Sequence, residues 1–165
     1  MTATAPLRRI AAPVLAALLA AVGAWLFWDS SSRQAAHQAG AEAVQAAREA
    51  IPAIMSYQPA TAESDLTAAA NERLTGAFRD TYTQIIATTV APEARLEGIS
   101  ASATVPAAAV VSADSGHAVV LAYIDQTVDH TTTAGSGPQT TSTSSVRVTM
   151  DKVDGRWLIS GFDPI

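Results

Sequence analysis

The chain of 165 residues has no cysteine, so it has no disulfide, no thiolate zinc site and no cysteine nucleophile. Aromatic residues make up only 5% of it, and Lys plus Arg number 10 against 15 Asp plus Glu. Two of those cations, Arg8 and Arg9, precede a long apolar run, so the part beyond residue 28 carries eight cations against fifteen anions, a formal charge of −7. That balance excludes gripping nucleic acid or an anionic lipid surface by charge. A fold without cross-links must be held by its apolar core, and the stretch from about Tyr57 to Ile165 suffices for one small domain, not two.

Residues Ile10 to Trp28 form that run, nineteen positions without a charge. At about 1.5 Å of rise per residue it approaches the roughly 30 Å of a bilayer core, which predicts a membrane-spanning helix. A cleaved signal peptide would share the basic start but needs small residues at its end. Trp25, Phe27 and Trp28 stand there instead, rings suited to the membrane interface. Arg8 and Arg9 orient the span in an inner (plasma) membrane with residues 1–9 as a cytoplasmic tail and everything after Trp28 outside.

Residues 29–57 read as a helical stalk. Val44, Ala47, Ile51 and Ile54 share one face, and Pro52 predicts a kink or break. Thr61 suits an N-cap, with Leu66, Ala69, Ala70 and Leu74 as the apolar face of a helix that Gly76 would stop. Phe78, Tyr82, Ile85 and Ile86 predict another helix, ending before Ala91 and Pro92. Strands follow, expected at 99–105, 107–113, 117–128, 144–153 and 156–162, with Asp154-Gly155 as a hairpin turn and the Thr, Ser and Gly tract from Thr131 to Ser145 as a mobile loop. Val146, Val148 and Met150 alternate with Arg147, Thr149 and Asp151, so that strand has one buried face. The expectation is an α+β cone, with three helical segments packed on a curved antiparallel sheet over residues 58–165.

Several stretches carry a family likeness: SYQPATAESDLTAA, LTGAFRDTYTQ, TTVAPEARLEGISASATV and the ending SSVRVTMDKVDGRWLISGFDPI. In order and spacing they resemble the actinobacterial Mce-associated membrane proteins, accessories of mammalian-cell-entry lipid importers. The resemblance implies an NTF2-like (SnoaL-like) domain outside the membrane. It further implies an accessory, stabilising role beside Mce-family proteins and permease components of a lipid or sterol importer. Two alternatives share the layout: a module binding a lipid or sterol in its cone, and a VirB8-like scaffold of another envelope machine.

An enzyme reading requires a convergent set of side chains. An isomerase of the ketosteroid type needs a carboxylate base and an acid and phenol around an apolar pocket. Tyr57, Tyr82 and Tyr123 are the phenols, and Asp125 and Asp129 the acids, but strand parity puts Tyr123, Asp125 and Asp129 on one face beside the polar tract, as on a solvated surface. His37, His117 and His130 have no metal-ligand spacing and read as exposed. No catalytic residue, metal or cofactor is expected. Tyr57, Phe78, Tyr82 and Trp157 are the candidates for a core or an apolar pocket.

Overall fold

The computed structural model describes residues 33–132 and 135–165. The expected span at 10–28 lies outside the described residues. Among these, no helix is long and apolar enough to cross a membrane.

Helix α1 covers 33–55. Its buried stripe is Ala39, Ala43, Ala47, Ala50, Ile51 and Ile54, a helical repeat of mostly small residues that lets the backbone lie close to a sheet. Gly40 marks the nearest approach: a Cβ there would stand 3.2 Å from Val110 Cγ2 and 3.4 Å from Ala113 Cβ. The helix does not break at Pro52 but runs on to residue 55. Only its last turn follows the missing donor, and buried Ile51 and Ile54 hold that turn in the core.

Helix α2 (Ala62–Arg73) starts at Thr61, whose hydroxyl donates to Asp65 Oδ2 at 2.6 Å rather than capping a backbone N–H. Gly76 does not stop this helix. The chain leaves it at Leu74, which is fully buried and forms a parallel bridge to Ile159, while Gly76, at φ 60°, opens α3 (Gly76–Ile85). Nor do Ala91 and Pro92 end the helical run. Residues Ile86–Val90 form a π turn, with the N–H of Ala91 donating five residues back to Ile86, and α4 (Ala91–Glu97) continues until Gly98 at φ 64°. Widening the turn just ahead of Pro92 relieves the clash of a proline ring with the carbonyl four residues earlier.

Four antiparallel strands follow in the order β1-β2-β3-β4. They are β1 (Ile99–Ala113), β2 (His117–Thr132), β3 (Gly135–Val153) and β4 (Arg156–Pro164). Two of the five expected strands are one: Pro106 is absorbed by a register shift between Thr104 and Ala107, an irregularity that edge strands tolerate. Apart from residues 133–134, which lie outside the described residues, the Thr and Ser tract expected as a mobile loop forms the upper part of a hairpin, with Thr127 opposite Thr141 and Val128 opposite Thr140. β-Branched Thr suits strands even where it buries little. Asp154 (φ 50°) and Gly155 (φ 79°) make the two-residue turn before β4.

The result is an α+β domain, helices over one face of an open sheet. The main core joins the α1 stripe, Ala70 and Leu74 to the inner sheet face of Ala118, Val120, Ala122, Ile124, Val146, Val148, Met150 and Ile159. A smaller cluster of Ala62, Leu66, Ile86, Ala91 and Ala94 seals α2 against α4. Along the outer edge of β1, Tyr57 exchanges two backbone hydrogen bonds with Ala101 (2.8 and 3.0 Å), Ser56 Oγ accepts from the N–H of Ala103, and Arg48 donates to the carbonyl of Val105.

Candidate functional site

Of the aromatic candidates, Phe78, Tyr82 and Tyr57 lie near one another, and Trp157 stands on the β3–β4 hairpin. Phe78 of α3 lies in near-parallel contact with Phe162 of β4, centroids 6.4 Å apart, and tilts against Tyr82 at 6.2 Å. Tyr82 lies one helical turn beyond Phe78, which is why the two rings meet. Its hydroxyl donates to the carbonyl of Ile54 at 2.5 Å, in the last turn of α1, where carbonyls have no intrahelical donor. Burial pushes the Tyr82 phenol well above its ordinary range, with Tyr57 adding to the shift. Tyr57 is half-buried beside Tyr82 against the smaller cluster; burial first and Glu93 second raise its phenol as well. These three tyrosine and phenylalanine rings therefore fill the join between helices and sheet.

Trp157 sits elsewhere. It follows the Asp154-Gly155 turn, is 8% exposed, and belongs to the main core. Its indole N–H donates to Glu42 Oε2 at 3.2 Å, the same oxygen that receives Lys152 Nζ at 2.7 Å, and Lys152 lies 5.4 Å over the ring. Register explains the grouping, since Lys152 pairs with Trp157 across the hairpin. The hydrogen bond from Lys152, then that from Trp157, hold the Glu42 carboxyl below the usual glutamate range. Beside the indole is a shallow groove of ≈ 270 Å³ bordered by Ala46, Glu72, Arg73, Arg156 and Leu158. Arg73 there is 3.6 Å from both Glu49 and Glu72.

Three of the acids and one of the histidines are engaged in ways that spacing does not encode. Asp125 Oδ1 accepts from Thr143 at 2.7 Å, on the outer sheet face with the half-exposed Tyr123. His117 and Asp151, opposite one another in register, are joined at 2.7 Å, and the hydrogen bond from His117 lowers the Asp151 carboxyl despite partial burial. Asp114 caps the β1–β2 turn by accepting from the N–H groups of Gly116 and His117, which lowers its carboxyl also. Among the described residues no cluster of three or more His, Asp or Glu is placed to hold a metal.

A family model described as uncharacterized protein Rv1363c/MT1408-like matches residues 4–163. The resemblance to the Mce-associated proteins is thereby corrected: near-full-length agreement with this model replaces it. Two relatives are from Mycobacterium tuberculosis H37Rv. One, named outer membrane protein Rv1973, is 46% identical over 153 residues, covering 93% of this chain and 92% of its own length. The other, uncharacterized protein Rv1362c, is 37% identical over 143 residues, covering 86% of this chain and 63% of its own. Among solved structures, an IcmL-like type IV secretion system protein from Legionella pneumophila superposes with a TM-score of 0.59 at 12% identity, over 76% of this chain and 92% of that one. A periplasmic fragment of TraM gives 0.55 at 13%, over 74% and 94%. These two neighbours share the α+β fold of helices packed on an antiparallel sheet.

Proposed function

The chain belongs to the Rv1363c/MT1408-like family, and from that premise we propose that it is a non-catalytic docking subunit of an envelope assembly, a scaffold of the VirB8-like kind. The observation that carries this reading is the shared architecture with two secretion-system domains over about three quarters of the chain. The engagement of the polar side chains supports it. A general acid or base must be free to reach a substrate, whereas Tyr82 is committed to Ile54 and Glu42 to Lys152 and Trp157. The apolar run at 10–28 would tether the domain to the membrane.

Mild detergent extraction from the native envelope, followed by mass spectrometry of what co-purifies with the full chain, tests the proposal. A defined set of envelope proteins should be recovered in near-stoichiometric amount. Recovery of the chain alone, together with turnover of a small molecule by the purified protein, would replace the scaffold reading with an enzymatic one.

A further inference from the structure

Among the described residues, the upper half of β3 is an open sheet edge. Strand β4 pairs with β3 only from Val146 (opposite Pro164) to Val153 (opposite Arg156), whereas β2 accompanies β3 up to Gly135. The N–H of Ile165 donates to the carbonyl of Ser145 at 3.0 Å, so the backbone of Ser145 faces the β4 side. Backbone direction alternates along a strand, so Gln139, Thr141 and Thr143 turn their N–H and C=O groups the same way. No strand lies on that side of them among the described residues. The edge from Gln139 to Ser144 is roughly 17 Å long at about 3.4 Å per residue.

Edges not meant for pairing usually carry lysine, proline or inward charge. The stretch Gln139–Val146 has none of these, while Pro138 sits just above it, beside the irregularity between Asp129 and Thr131. The other long edge, that of β1, is stitched to the end of α1 through Tyr57, Ser56 and Arg48. One strand inward, Asp125 and Asp129 lie opposite Thr143 and Gln139 on the outer face, and β3 has no cation between Gly135 and Val146.

We propose that this edge accepts an extended segment of a partner protein as a fifth strand, one bearing lysine or arginine at alternate positions that reach over β3 toward Asp125 and Asp129. Main-chain hydrogen bonds to Gln139, Thr141 and Thr143 supply affinity, and the carboxylates select charge. A second copy of the chain fits less well, because the upper part of its own β3, residues 135–146, is uncharged and it brings two more carboxylates to the same face. This inference rests on the docking reading above and names the kind of partner.

The test uses the full chain in mild detergent and short synthetic peptides of alternating Lys and Val, or alternating Glu and Val, followed by fluorescence anisotropy. The Lys/Val peptide should bind, the Glu/Val peptide at least about tenfold more weakly, and added salt should weaken the first. New amide-exchange protection should appear at Gln139, Thr141 and Thr143. Thr141→Pro removes an outward N–H that no strand uses, so it should keep the melting temperature yet weaken the Lys/Val peptide by about tenfold or more. Equal binding by Thr141→Pro, equal binding by a Lys/Val peptide N-methylated at alternate amides, or no binding at all would overturn the proposal. So would a homodimer of the wild type that Thr141→Pro dissociates, which would assign the edge to a second copy. If Thr141→Pro still co-purifies its envelope partners, the edge assignment fails while the docking reading stands.

Discussion

The indole N–H of Trp157 and the Oε2 of Glu42 meet at 3.2 Å across 115 positions of sequence, joining α1 to the β3–β4 hairpin. Lys152 closes the group from the neighbouring strand. The contact fixes how α1 lies along the sheet, which is how a tether emerging from α1 would orient the domain.

Trp157→Ala should therefore cost about 3 to 5 kcal/mol, the usual range for truncating a large buried ring, and a large share of a small domain's stability. Denaturant unfolding checks this. A loss below about 1 kcal/mol would mean that the indole is not part of the core.

Acid should weaken the fold through Glu42 and two further carboxyls. The carboxyls of Glu42, Asp114 and Asp151 are all lowered in the folded state from ordinary values of 4.5, 3.8 and 3.8. A depressed folded value means that the stabilisation is fully present above the ordinary value and is lost as pH falls through the folded one. Melting temperature should thus be flat above about pH 5 and decline below it, with Glu42→Gln showing a shallower decline than the wild type.

Tyr82→Phe keeps the ring against Phe78 but leaves the Ile54 carbonyl without its donor, for an expected loss of about 1 to 2 kcal/mol. Cellular function should survive, since the phenol serves packing. A folded Tyr82→Phe protein that loses activity by about a hundredfold would instead assign the hydroxyl to chemistry.

Asp125→Asn should leave folding stability within about 0.5 kcal/mol, because the site is on the solvated face and an amide oxygen still accepts from Thr143. A larger loss in thermal unfolding would show that the charge supports the sheet itself.

Local rules made much of this fold legible. Val146, Val148 and Met150 point inward as their alternation requires, and Asp154-Gly155 turns where two residues tolerant of positive φ predict it. Helical spacing picked out the α1 face that packs on the sheet. What failed were the punctuation signals. Pro52, Pro92 and Pro106 each mark a break in sequence, yet a final short turn, a π turn and a register shift carry the chain past them. Tertiary packing pays for those irregularities, and no window of sequence contains it. The Thr tract is polar yet ordered, because β2 supplies it with a ladder. At the candidate site, Trp157 was legible as buried, but the Phe162 ring against Phe78 and the Glu42 carboxylate on the indole depend on long-range register that spacing does not encode.

The role proposed for the domain is to hold other envelope proteins in place. The most direct measurement is quantitative proteomics of the envelope fraction in a strain lacking the gene. Subunits deprived of a stabilising contact are more often open to proteolysis, so a small, defined set of envelope proteins should fall several-fold and be restored by the wild type and by Tyr82→Phe. An unchanged envelope proteome, with a small-molecule or lipid pool altered instead, would contradict the account.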